Sequence, residues 1–279
     1  MNFPVIKGAA YALIQANGML LYQGTTQTSE RHKNSQSEHL QKLPEHLRSF
    51  DQAVSYPPNQ AYIGNITPDD LKQIPRPWYE NPVTGASRDG KHGEIMPEDE
   101  FIGLMKVVDS FELVVLEEAF QGGVKEKLQA HPVLYDIKDI TKLDKTPGTS
   151  VEIERLVAEN AAQPLYFEGK LVGCVKRAHE FDEALSSEVM LGNLANKASA
   201  VLALKLLLAK TDLNPEDVDY IVECSEEACG DMNQRGGGNF AKAVGEMCGC
   251  INATGSDTRS FCAGPAHSLV EAAALVQSG

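Results

Sequence analysis

The sequence predicts an α/β protein with a parallel-rich mixed sheet whose strands are covered by helices. In the last third of the chain, apolar runs of strand length alternate with runs of helical spacing, an order typical of parallel sheets. Between residues 97 and 137, shorter segments show the same alternation and predict a small α/β unit.

Composition sets the class of protein. A chain of 279 residues with 42% hydrophobic residues can form one large domain or two modest ones. The formal charge of -14 disfavours a nucleic-acid or anionic-membrane surface. The first 18 residues lack signal-peptide features, and the longest apolar run, residues 198–209, contains Lys205. We therefore expect a cytoplasmic protein whose six cysteines are thiols rather than disulfides.

The first two thirds of the chain are irregular. Residues 4–15 predict a strand that ends at Asn17-Gly18, and residues 24–93 are polar and rich in proline. A hairpin is expected over residues 165–176, around Glu168-Gly169. The other predicted elements are helices at 37–50, after Thr67-Pro68, at 97–109 and at 123–130, and strands at 111–116 and 133–137.

From Ser186 the pattern becomes regular. Six apolar residues recur at helical spacing: Leu191, Leu194, Ala198, Val201, Leu202 and Leu206. This helix must stop before Pro215, because proline cannot continue it. The following predicted elements are a strand at 218–224, a glycine-rich turn at 235–239, a helix at 240–248, a strand at 250–254 and a last helix at 263–277.

The last helix is apolar on nearly every side, which predicts a helix buried between layers. Cys262 stands at its N-terminus, with Pro265 in the first turn. There the positive end of the helix dipole stabilises a thiolate and can lower a thiol pKa from about 8.5 by one or more units. Cys262 is therefore the predicted nucleophile. The alternative is a cysteine that only packs, since cysteine is often buried.

The residues around Cys262 resemble a known active site. The segment Asp257-Thr258-Arg259-Ser260-Phe261-Cys262-Ala263-Gly264, continued by a small-residue helix to Ser278-Gly279, resembles the nucleophile segment of β-ketoacyl-(acyl carrier protein) synthase III enzymes. Upstream, residues 213–222 are similar to the helix-to-strand junction of that family. The resemblance implies a thiolase-like fold for residues 190–279, with Cys262 as the acyl-carrying nucleophile.

Taken whole, the chain resembles a narrower family, the β subunit of component C of the glycine reductase complex. The matching residues are Phe3-Pro4-Val5-Ile6-Lys7-Gly8-Ala9, Gly24-Thr25-Thr26-Gln27-Thr28, Tyr62-Ile63-Gly64-Asn65 and Pro77-Trp78-Tyr79. The resemblance implies that Cys262 accepts an acetyl group from carboxymethyl-selenoprotein A, and that phosphate releases it as acetyl phosphate. It also implies the component C α subunit and selenoprotein A as partners.

The resemblance implies that the chain has two segments and that it contains only part of a thiolase-like fold. Residues 1–24 and 187–279 would form the N-terminal half, and residues 25–186 a long insertion with the small α/β unit. The second half, which supplies a His and an Asn or second His, has no counterpart here, so we expect a fragment that is inactive alone. His267 cannot replace them, because five residues place it about 140° around the helix from Cys262.

Other interpretations of the function remain possible from the sequence. A condensing enzyme like synthase III would share the fold, although residues 25–186 disfavour it, and a non-catalytic subunit would need Cys262 only for packing. Five cysteines cluster between Cys224 and Cys262, but their spacing fits no usual metal site, so we predict no metal and no cofactor. Gly236-Gly237-Gly238 lacks a P-loop pattern. We expect a homodimer or hetero-oligomer, with residues 250–254 a candidate contact.

Overall fold

The computed structural model describes residues 3–225 and 239–279. Within these ranges the protein is a mixed α/β fold built from three small sheets and twelve α-helices. The strands are β1 (Tyr11–Gln15), β2 (Asp89–Gly90), β3 (Gly93–Pro97), β4 (Val114–Leu116), β5 (Ala162–Phe167), β6 (Lys170–Lys176), β7 (Tyr220–Cys224) and β8 (Thr254–Thr258).

Short helices fill the first third of the chain and longer ones the rest. The α-helices are α1 (Asn17–Gln23), α2 (Thr25–Lys33), α3 (Glu38–Lys42), α4 (Phe50–Ser55), α5 (Pro57–Tyr62), α6 (Pro68–Gln73), α7 (Glu98–Val108), α8 (Glu118–Ala130), α9 (Ser150–Ala158), α10 (Ser187–Thr211), α11 (Phe240–Met247) and α12 (Gly264–Ser278). Thr67 caps α6, as predicted, by accepting a hydrogen bond from the Asp70 amide at 3.1 Å.

The strands pair in both directions. β1 runs parallel to β3, and β7 runs parallel to β8, whereas β2 is antiparallel to β3. β4, β6 and β5 form an antiparallel sheet that contains the predicted hairpin. The α/β class is therefore confirmed, but in the described residues the strands form three small sheets rather than one parallel-rich sheet.

Helix α10 organises the core. All six apolar residues that predicted it are buried, and the helix contacts α7, α11, β1 and β6. It is also long and apolar enough to cross a membrane by length and composition, but half of its apolar window is buried inside the protein. A buried core helix can have the same length and apolar composition. The helix ends at Asp212, whose φ of 49° is left-handed, three residues before Pro215.

Several predicted elements differ from the observed ones. The strand predicted over residues 4–15 is limited to Tyr11–Gln15, and the helix predicted over 123–130 begins at Glu118. Residues 133–137 form turns, because Leu134 and Ile137 are buried three residues apart and their backbone is joined by a turn hydrogen bond of 3.1 Å. Residues 250–254 also turn before the strand, which begins at Thr254. The helix predicted over 37–50 is broken, because Pro44 lies in a 3-10 segment that follows α3.

The predicted division of the chain stays a prediction. β1 belongs to the segment 1–24, and its parallel partner β3 belongs to the segment 25–186. The first sheet therefore draws strands from both segments.

Candidate functional site

The predicted site lies in the last parallel unit of the chain. β7 and β8 pair in register from Tyr220 with Thr254 to Cys224 with Thr258. Helix α11 packs on both strands and on α10, and α12 packs on β7 and β8. The end of β8 and the start of α12 are joined by a short connection that contains Cys262.

Cys262 stands directly before a helix, as the sequence predicted, and it is exposed. It is the central residue of a single 3-10 turn, Phe261–Ala263, that leads into α12. Phe261 has a φ of 47°, a left-handed conformation that aromatic residues rarely adopt, and its side chain is 77% exposed. The chain thus turns sharply at Phe261, and the thiol of the next residue is accessible.

The start of α12 provides a positive end of a helix dipole. The helix has 15 residues, its N-cap Ala263 makes no side-chain capping bond, and its first turn contains Pro265 and no acidic residue. Unpaired amides and the dipole favour negative charge at such an end. Cys262 is the residue immediately before this N-cap.

The prediction that the last helix is buried is wrong for the described structure. Gly264 is the only buried residue of α12, and the large apolar side chains of Leu269, Val270 and Val276 are 63%, 71% and 48% exposed. The reason is that the main neighbours of α12 among the described elements are β7, β8 and the 3-10 turn before it, which cover one side of the helix. The apolar composition of α12 predicted burial, but an apolar helix is buried on all sides only when other elements pack on all sides.

Gly264 allows α12 to approach the sheet. A Cβ atom added at Gly264 would lie 3.3 Å from the Cβ of Cys224, at the end of β7. This distance is tighter than an ordinary contact. The glycine that follows Cys262-Ala263 in the sequence therefore has a packing role in the position of the helix start.

Asp257 acts on a neighbouring helix. Its two carboxylate oxygens accept hydrogen bonds from the amides of Phe240 and Ala241, both at 2.8 Å, at the start of α11. Asn239 caps the same helix, accepting from the Lys242 amide at 2.7 Å and donating to the Gly255 carbonyl at 2.7 Å. Asp257 thus holds the start of α11 against β8.

Glu271 of α12 is a site residue that the sequence did not suggest. It accepts hydrogen bonds from the hydroxyl groups of Ser256 at 2.5 Å and Thr258 at 2.6 Å, and these bonds lower the pKa of the Glu271 carboxyl. The bonds join α12 to β8. No local pattern could predict them, because the partners lie 13 and 15 residues away along the chain.

The five described cysteines differ in burial. Cys174, Cys248 and Cys250 are buried, and burial raises the pKa of each thiol, to about 11 for Cys174. These three are therefore protonated and inaccessible near neutral pH. Cys224 is partly buried, whereas Cys262 is exposed.

The remaining candidate groups lie elsewhere. Cys229 and Gly236-Gly237-Gly238 fall outside the described residues. Within residues 3–225 and 239–279, no three His, Cys, Asp or Glu side chains are grouped so as to hold a metal ion. His267 is exposed on α12, and the buried His131 lies 3.0 Å from a carboxylate oxygen of Glu94 in the region of the first sheet.

Comparison with known proteins identified one similar curated protein. The whole chain is 58% identical over 282 aligned residues to the glycine/sarcosine/betaine reductase complex component C subunit beta of Peptoclostridium acidaminophilum. The match covers 100% of this chain and 54% of that protein, so the chain spans about half the length of its curated relative. No protein-family model and no solved structure matched the chain.

Proposed function

Because the chain belongs to the family of component C β subunits of glycine/sarcosine/betaine reductase complexes, we propose that it carries an acetyl group as a thioester on Cys262. The observation that carries the proposal is the position of Cys262. It is exposed directly before the 15-residue helix α12, whereas three other described cysteines are buried as protonated thiols. An accessible sulfur near a positive helix end suits nucleophilic acyl transfer.

The reaction would need Cys262 in two roles. As a thiolate it attacks the carbonyl carbon of an acyl donor, and the donor's leaving group departs with its electron pair. In the second step a phosphate oxygen attacks the thioester carbonyl, the C–S bond breaks, and the thiolate leaves. The helix dipole favours the thiolate in both steps, because it stabilises the negative charge on sulfur.

The fold and partners form part of the same proposal. We propose a thiolase-like N-terminal half over residues 1–24 and 187–279, with residues 25–186 as an insertion. The exposed apolar surface of α12 supports this fold, because a nucleophile helix between two layers needs such a surface. The component C α subunit and selenoprotein A are the proposed partners, the cytoplasm the proposed compartment, and a homodimer or hetero-oligomer the proposed assembly.

Acetylation measured by mass spectrometry tests the function. The chain is incubated with acetyl phosphate, which can form the thioester by the reverse of the second step. We expect an adduct of about 42 Da, the mass of acetyl replacing a proton, on the peptide that contains Cys262, and its removal by hydroxylamine. Cys262→Ser should abolish the adduct, and Cys224→Ser, the matched control at a partly buried thiol, should retain it.

Two results would contradict the proposal. An adduct that persists in Cys262→Ser would place the acyl group on another residue. No adduct in the unsubstituted protein, with the component C α subunit and selenoprotein A also supplied, would favour a non-catalytic subunit.

A further inference from the structure

Helix α12 is attached to the strands β7 and β8 along one face. Gly264 and Glu271 are seven residues apart, which places them within about 20° of each other around the helix. Gly264 lies against Cys224 at the end of β7, and Glu271 binds residues of β8. Leu269 and Val270, which point in other directions, are exposed. The position of α12 therefore depends on the contacts of this one face.

Glu271 makes the directional bonds of that face. Its carboxylate oxygens accept hydrogen bonds from the hydroxyls of Ser256 at 2.5 Å and Thr258 at 2.6 Å, contacts that we call the Glu271 bridge. Residues two apart in a strand point to the same side of a sheet, so both hydroxyls reach one carboxylate. The bonds lower the pKa of the Glu271 carboxyl, and bonds to an ionised acceptor are about twice as strong as neutral ones. The bridge fixes both the rotation of α12 and its position along β8.

The Glu271 bridge closes a short connection that contains Cys262. Thr258 is the last residue of β8 and Gly264 the first of α12, so residues 259–263 must join two fixed ends. Within this connection Phe261 has a φ of 47°, and its side chain is 77% exposed. The left-handed conformation is unfavourable for a residue other than glycine, and it persists only where the surrounding structure imposes it. The packing of an exposed ring does not impose it, whereas the attachment of α12 to β8 does.

We propose that Glu271 is a positioning residue for Cys262: its bonds to β8 hold α12 where the connection must turn at Phe261, and this turn fixes the place of Cys262 before the helix. The acyl-carrying role of Cys262 rests on the proposed function, but the turn imposed on Phe261 does not. Glu271 acts through the backbone and needs no contact with the reacting atoms. A bound acyl donor must meet the sulfur at a defined distance and angle, so a displacement of about 1 Å slows the transfer.

Two reagents separate the position of Cys262 from its intrinsic reactivity. Acetyl phosphate needs a defined approach, whereas iodoacetamide alkylates an accessible thiol in many orientations. In the 279-residue chain, with both rates measured on the Cys262 peptide by mass spectrometry, we expect Glu271→Ala to slow acetylation about tenfold and alkylation less than about twofold. Alkylation of the buried Cys248 would reveal an unfolded variant.

Two further variants serve as controls for Glu271→Ala. Glu271→Gln keeps an acceptor oxygen at the same distance from the backbone, so it should recover most of the acetylation rate. Gln277→Ala removes a polar side chain from an exposed position of the same helix and should leave both rates unchanged.

A double-mutant cycle tests the imposed turn without acyl chemistry. Glycine adopts a φ of 47° readily, so Phe261→Gly should raise the urea midpoint of unfolding by about 0.3 M. In the Glu271→Ala background the connection can relax, and the same substitution should raise the midpoint by less than about 0.1 M. The cycle measures the coupling between the two residues, which a general loss of stability in Glu271→Ala does not produce.

The results distinguish the role of Glu271 from the proposed function. Absence of acetylation in the unsubstituted protein would contradict the acyl-carrying role of Cys262. Equal effects of Phe261→Gly in both backgrounds, or acetylation and alkylation rates that fall together in Glu271→Ala, would overturn the role of Glu271.

Discussion

Helices α7 and α12 each follow a strand of a parallel pair, yet their surroundings are opposite. α7 buries ten of its eleven residues, including the acidic run Glu98-Asp99-Glu100. α12 buries Gly264 alone, although most of its residues are apolar. Hydropathy therefore does not decide burial here. α7 is covered by α8, α10 and the first two sheets, and α12 is covered by one strand pair.

The N-terminal ends of α7 and α12 also differ in their charged groups. At α7, three buried carboxylates are balanced by Arg88, by Lys127 and by backbone amides, so the polar groups lie inside the fold. At α12, the helix start has no acidic residue, and the exposed Cys262 stands beside it. The first arrangement joins elements and lines a cleft, and the second leaves the Cys262 residue exposed to solvent.

The largest expected effect comes from breaking the charge network at α7. Arg88→Met leaves the buried carboxylates of Glu94 and Glu100 without their guanidinium partner. We expect a loss of about 3 kcal/mol in the free energy of unfolding, measured by urea denaturation followed at Trp78, because uncompensated buried charge is costly.

The control for Arg88 is an exposed ion pair. Lys42→Met removes the partner of Glu38 on the surface of α3, where both side chains are more than half exposed. We expect a change within about 0.5 kcal/mol. Equal effects of the two substitutions would mean that the α7 network contributes no more than a surface pair.

A matched pair of valines tests the contrast in burial directly. Val107 of α7 is fully buried, whereas Val270 of α12 is 71% exposed. Val107→Asn should cost about 2 to 3 kcal/mol, because it places an amide without partners in the core. Val270→Asn should stay within about 0.5 kcal/mol. Thermal and urea unfolding measure both, and a large loss at Val270 would show that α12 is covered in solution.

The smallest effect concerns the framework beneath Cys262. Asp257→Ala removes the acceptor for the first two amides of α11, and we expect a loss of about 1 to 2 kcal/mol. Asp51→Ala, at an exposed first-turn aspartate of α4, serves as the control and should have a smaller effect. Hydrogen exchange should locate the change in α11 and β8, and protection unchanged there would disprove the capping role.

Sequence patterns alone determined the elements whose bonds are local. The periodic apolar residues fixed α10, the Glu168-Gly169 pair fixed the β5–β6 hairpin, and Thr67 fixed the start of α6. The position of Cys262 before the last helix was also predicted. Each of these depends on residues a few positions apart, so the chain itself encodes the geometry.

Only the tertiary structure decided which surfaces are covered and which distant groups meet. In the folded protein α12 is exposed, and residues 133–137 form turns rather than a strand. Asp257 binds the amides at the start of α11, and Glu98 binds the amides of Gly18 and Met19. These outcomes depend on neighbours far away in the sequence. An apolar residue is buried only when another element packs on it, and a carboxylate is stabilised only by the donors that the fold brings to it.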